Sequence, residues 1–180
     1  MYRIAAYLLD MLPGAVAALA LYLCLFPRRR RQLIQQGLTS SALREAALCL
    51  FWMFCGGMAV LTLTPRWLDM PFRLGTINLT LFCTFRQNKI ILLGNIVMFV
   101  PFGLFPALLW RGWTWRRALL AGAGITAFIE CTQLLVGRAF DVDDLLLNTL
   151  GAFLGWLLWR LLRQICPRLT ERFHCQTAVV

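Results

Sequence analysis

Polar side chains recur where long apolar runs leave little room for them. Asn95, Glu130, Gln133, Asp144 and Asn148 fall within or at the ends of such runs, and Asp10 opens the first. Carboxylates and amides in lipid are costly and face a bundle interior or a wet cavity. Their spacing is helical. Glu130 and Gln133 are three residues apart, and Asp144 and Asn148 four apart, so each pair shares a helix face. Between the pairs lies Gly137-Arg138-Ala139-Phe140-Asp141-Val142-Asp143-Asp144. A turn this short makes its two flanking helices antiparallel neighbours, so both polar faces can look into one pocket, with Arg138 and the three aspartates at its rim.

Several reactions fit these groups. Carboxylates with amide oxygens nearby could hold a hard divalent cation, although no cofactor is required by any motif. Glu130 and Asp144 could act as acid and base. Arg138 could grip a phosphate or a carboxylate. There is no nucleophilic Ser/His pair and no glycine-rich phosphate loop. Plainer roles compete with these. Asp141 or Asp143 could cap the following helix. Asn95, Gln133 and Asn148 could be hydrogen-bonding links between helices.

The elements that must carry these residues are membrane helices. Of the 180 residues, 60% are hydrophobic and 14% charged, against about 45–50% and about 25% in a soluble domain. About 20 apolar residues cross a bilayer, and five segments qualify: Tyr7–Phe26, Leu43–Leu63, Ile90–Trp110, Ala118–Val136 and Leu145–Leu162. The expected fold is all-α, a polytopic bundle of about five spanning helices forming one membrane domain over residues 1–180. The first run is not a cleaved leader in this reading. Its basic cluster, Arg28 to Arg31, follows the apolar stretch instead of preceding it.

The formal charge is +10, and its distribution sets the orientation. Arginines gather at 28–31, 111–117 and 160–172, between apolar runs, as cytoplasmic loops do. This places the N-terminus outside, the C-terminus inside, and residues 164–180 as a cytoplasmic tail. The Pro65–Lys89 loop and the acidic turn then lie outside, along with Arg66, Arg73, Arg86, Lys89 and Arg138. Glu130 lies roughly 9 Å deep at 1.5 Å per residue, and every intramembrane polar residue falls in the outer half. Scattered arginines make no phosphate-tracking stripe, so nucleic acid is not an expected partner. Trp110, Trp113, Trp115 and Trp67 suit interfacial belts, whereas mid-helix Trp52 reads as a packing residue.

Cysteines and glycines fit the same picture. Cys24, Cys49, Cys55 and Cys131 sit in apolar runs as small hydrophobes. Cys166, His174 and Cys175 match no standard zinc spacing. His174, the single histidine, is in the tail, so histidine chemistry is not expected in the pocket. Gly56, Gly57, Gly122, Gly124 and the Gly151-x-x-x-Gly155 pair permit close helix approach. We expect them to pack the bundle internally, not to form a dimer.

At these residues the sequence resembles the VanZ-like family of bacterial membrane proteins. The matching pieces are Asn95-Ile-Val-Met-Phe99-Val-Pro101-Phe-Gly103, Glu130-Cys-Thr-Gln133, Gly137-Arg138, Asp141-Val-Asp143-Asp144 and Asn148-Thr149-Leu-Gly151-Ala-Phe-Leu-Gly155. A shorter match is Asn78-Leu79-Thr80-Leu81-Phe82, where the family usually has a proline and this chain has none. These pieces define a VanZ-like core over about 78–163. The resemblance implies a multi-pass protein of the bacterial plasma membrane, and the family's namesake is an accessory factor that lowers sensitivity to teicoplanin, a glycopeptide. Two functions lead, ahead of a transporter, which the lack of an inverted repeat disfavours, and of a purely structural partner of another membrane protein. One is an outward-facing pocket, formed by Asn95, Glu130, Gln133, Arg138, Asp141, Asp144 and Asn148, for a lipid-linked envelope precursor, a lipoglycopeptide or another amphiphile. The other is an intramembrane enzyme acting on phospholipid or polyprenyl-phosphate head groups through Glu130 and Asp144.

Overall fold

A computed structural model describes residues 2–64, 74–82 and 89–177. Trp67, Arg66, Arg73 and Arg86 lie outside the described residues. The chain forms α1 (Tyr2–Gln35), β1 (Leu38–Thr39), α2 (Ala42–Leu63), β2 (Ile77–Asn78), α3 (Lys89–Leu109), α4 (Trp115–Leu135), β3 (Phe140–Asp141), α5 (Val142–Ile165), α6 (Pro167–Glu171) and β4 (Gln176–Thr177). Helices α1 to α5 are long and apolar enough to cross a membrane. Their outward faces carry Leu8, Val16, Leu50, Val97, Leu120, Phe128 and Leu161, all exposed, as lipid-facing positions are.

Several boundaries differ from the sequence reading by three residues or more, and two of them matter for the structure. Helix α1 continues past Phe26 through Pro27 and the arginine run to Gln35. Helix α5 begins at Val142, three residues before Leu145, taking Asp143 and Asp144 into its first turn. Apolarity marks where lipid ends, whereas a helix continues wherever its backbone and charges allow. Carboxylates suit the positive end of α5.

The residues divide into two compact units. The first holds residues 1–61, 108–111 and 163–180. Here α1 meets α2 where Gly14 and Gly56 face each other, and a Cβ on either would strike the other's carbonyl. Glu45 ties this unit together. It accepts from Tyr22 Oη at 2.6 Å, from Arg29 Nη2 at 2.8 Å, and from Ser40 Oγ. Trp52 packs edge-on to Tyr22 at 6.3 Å while remaining partly exposed, so it serves both packing and surface.

The chain's end folds onto this unit. Arg44 is buried and donates to Cys175 Sγ at 3.1 Å and to the carbonyls of Leu109 at 3.2 Å and Phe173 at 3.3 Å. Strand β4 pairs antiparallel with β1, and Arg111 bridges Glu171 at 3.1 Å. His174 is buried beside Leu109, and burial holds its pKa below the ordinary histidine value. The tail expected from composition is thus a docked segment.

The second unit holds residues 62–107 and 112–162. Helix α5 is its centre. Gly151 lies on the Ile96 carbonyl and Gly155 on the Val100 carbonyl, so both numbers rise together and α3 runs parallel to α5. Across the other face, Gly122 meets Ala152, and Asn148 meets Thr126, so α4 is antiparallel. A Cβ at Gly151 or Gly155 would enter α3 backbone. This is packing within the chain, as expected from the spacing. Gly124 differs, because nothing lies within 4 Å of its missing Cβ.

Gly151→Leu should therefore wedge α5 from α3, where overpacking typically costs about 1–3 kcal/mol, while Gly124→Leu should be tolerated. Thermal unfolding of the purified variants checks this. Equal midpoints for the two would contradict the packing described.

Candidate functional site

The polar residues of the second unit meet at one end of α3, α4 and α5. Their placement starts with the α4–α5 connection. Helix α4 ends at Leu135, and Gly137 adopts φ +80°, a left-handed conformation that glycine takes without strain. The chain then turns back so that Arg138 N–H bonds the Gln133 carbonyl at 2.8 Å. Residues 74–82 fold against this turn. Gly75 N–H donates to the Leu134 carbonyl at 2.9 Å, and Phe140 N–H to the Thr76 carbonyl at 2.8 Å. Strand β2 then pairs parallel with β3, Asn78 opposite Asp141.

Each acidic residue has a defined task in this arrangement. Glu130, 2% exposed, accepts the Asp141 N–H at 2.9 Å, spanning from α4 to the head of α5. Asp141 caps α5, accepting Asp143 N–H at 2.9 Å on one oxygen and Asn78 Nδ2 at 3.1 Å on the other. Asp143 is fully buried, where the sequence reading had it at a rim, because Phe82 N–H reaches its carboxylate at 2.7 Å. Phe82 has φ +63°, a left-handed backbone rare for an aromatic residue and held here by that bond. Asp144 accepts from Asn95 Nδ2, joining α5 to α3.

The amides link helices. Asn148 Nδ2 donates to Thr126 Oγ1 at 2.9 Å, both side chains being buried. Gln133 Nε2 and Arg138 Nη1 both donate to the Thr62 carbonyl, at 3.2 and 3.3 Å. Asn95, Glu130, Asp141, Asp144 and Asn148 thus form one set across three helices, while Gln133 and Arg138 turn toward the end of α2. Asp10 is exposed in the other unit. Four participants escaped the sequence reading: Thr126, which is the partner of Asn148, Thr62, which acts through its backbone, and Asn78 and Phe82, which were quoted only as part of a short motif. Thr126 stands four residues before Glu130, so the i, i+4 rule applied backwards from Glu130 reaches it.

The opposite end of the same unit is of another kind. Trp156 Nε1 donates to the Trp113 carbonyl at 3.1 Å. Arg116 lies over the Trp115 ring at 5.3 Å and Arg160 over Trp156 at 5.7 Å. Carboxylates mark one end and arginines with tryptophans the other. Among the described residues, no three Asp, Glu, His or Cys side chains come close enough to share a metal ion. Cys166 is exposed, and His174 belongs to the first unit.

Five apolar helices with a buried polar cluster define a polytopic helical membrane protein. Residues 14–163 match the VanZ/LLP1 family, and the chain belongs to it. The match takes in the first two helices as well as the motifs of the last three. Membership associates this membrane protein with glycopeptide resistance. No curated protein matches the chain, and no solved structure does.

Asp141→Ala removes the cap of α5 and the tie to Asn78 together. A lost cap typically costs about 1 kcal/mol, so the midpoint of thermal unfolding should fall by several degrees. Asp141→Asn should retain most of the cap and lose less. Identical midpoints for both variants would count against the capping role.

Proposed function

We propose that this protein sits in a bacterial plasma membrane with its acidic end outside, and that this end binds a lipid-linked or amphiphilic envelope molecule. In this reading the N-terminus is outside and the C-terminus inside, and occupancy of the site lowers sensitivity to glycopeptides of the teicoplanin type. One observation carries the proposal: within one unit, buried carboxylates and amides from α3, α4 and α5 gather at a single end, while Arg116 and Arg160 with their tryptophans, and Arg117, occupy the other. Arginine clusters favour the cytoplasmic side and tryptophans an interface. The acidic end then faces the side where envelope precursors and drugs are met.

The residues assigned to the ligand are Asn95, Glu130, Gln133, Arg138, Asp141, Asp144 and Asn148. Glu130 is the most informative of them. It is buried, and its bond to Asp141 N–H fixes the turn with one oxygen while the other remains for a ligand. A glutamine keeps the size and one acceptor oxygen but loses the charge.

A sensitive bacterial host expressing Glu130→Gln at the same membrane level as the unchanged chain should lose at least fourfold of the protection against teicoplanin that the unchanged chain gives. Full protection by the variant would contradict the proposed site.

A further inference from the structure

Asn148 holds an unmet acceptor. The residue is 6% exposed, its Nδ2 is committed to Thr126, and among the described residues no donor reaches its Oδ1. Burying a carbonyl oxygen without a partner costs about 1–3 kcal/mol, and in lipid no bulk water relieves it. One turn away along α5 stands Asp144, and one turn beyond Thr126 along α4 stands Glu130. Each of these carboxylates accepts one hydrogen bond, from Asn95 Nδ2 and from Asp141 N–H, and Arg138 and Asp141 act electrostatically on both with opposite sign. The carboxylates lie within electrostatic reach of each other.

What is missing is therefore of one kind. Among the described residues no donor reaches Asn148 Oδ1, the second oxygen of Glu130 or the second oxygen of Asp144. A group that completes them must donate hydrogen bonds, and positive charge suits it, since Glu130, Asp141, Asp143 and Asp144 outnumber Arg138 at this end and buried charge favours a partner. A primary ammonium has three N–H donors. Its bonds to carboxylate run about 2.7–2.9 Å, longer than the about 2.3–2.6 Å that calcium needs. Among the described residues no three Asp, Glu, His or Cys side chains come close enough to share a metal ion.

Resting on the ligand-binding role above, we infer that Glu130, Asp144 and Asn148 form a site for a primary ammonium group carried by an amphiphile in the membrane. The cationic head enters between α4 and α5 from the acidic end, and the tail stays in lipid against the exposed apolar faces. Phosphate is the disfavoured head group, because it would meet two carboxylates.

The test uses the full chain in nanodiscs of phosphatidylglycerol, titrated with dodecylammonium, dodecyl phosphate or sodium chloride. Dodecylammonium should bind saturably and raise the unfolding midpoint. Its affinity should fall at least tenfold in Asp144→Asn, which keeps the side chain's shape, and in Asn148→Leu, with folding of both followed by circular dichroism. Exchanging the lipid for phosphatidylethanolamine identifies the source. Competition by the lipid makes its headgroup the ligand, and its absence points to a separate cationic amphiphile. Either result is consistent with an ammonium site. Saturable binding of dodecyl phosphate, abolished by Asn148→Leu and without ammonium binding, overturns the inference and leaves an amphiphile site in place. Binding of neither amphiphile removes both.

Discussion

The contact of α5 with α3 at Gly151 and Gly155 sets how near three helices can come, and the polar cluster depends on that distance. In lipid no hydrophobic force draws helices together, so backbone approach at small residues must supply much of the association. With α3 backbone seated on two glycines of α5, Asn95 reaches Asp144. With Gly122 against Ala152, Thr126 reaches Asn148. Each interhelical bond in a membrane contributes about 0.6 kcal/mol on average, so these bonds fix register more than they supply stability. The glycines decide proximity, and the polar pairs decide which residues face each other.

Rigidity at the head of α5 follows from a second layer of bonds. Glu130 holds the Asp141 N–H, Asp141 caps α5 and holds Asn78, and Asp143 holds Phe82. Three carboxylates thereby accept backbone N–H groups that a helix start and a tight turn leave open. The result positions Asp144 and Asn148 on a firm scaffold, which is what a binding site built at a helix end requires.

Much of this was legible in the sequence because it rests on periodicity. The apolar runs gave five helices, and the spacings 130/133 and 144/148 marked polar positions of which Glu130 and Asn148 each reach across between α4 and α5, while Gln133 turns to α2 and Asp144 to α3. The Gly151/Gly155 pair was legible as internal packing, since small residues four apart make one flat stripe. What escaped depends on long-range geometry. Burial of Asp143 follows from Phe82, 61 residues away, and no local pattern carries that information. Thr126 was passed over because threonine is unremarkable in an apolar helix, and only its facing Asn148 gives it a role. Helix α1 reaches Gln35 because Arg29 is held by Glu45 across the unit, which hydropathy does not see. The docking of the tail through Arg44 was equally hidden, because a lone arginine near a helix start reads as a loop cation.

The central claim is that the acidic end of the second unit faces outward. Single cysteines at Arg138 and at Arg116, placed in a cysteine-free background, test it in intact cells with a membrane-impermeant thiol reagent. The account predicts labelling at 138 and none at 116 until the cells are opened. Labelling at 116 with protection at 138 would put the carboxylate cluster on the cytoplasmic side and contradict it.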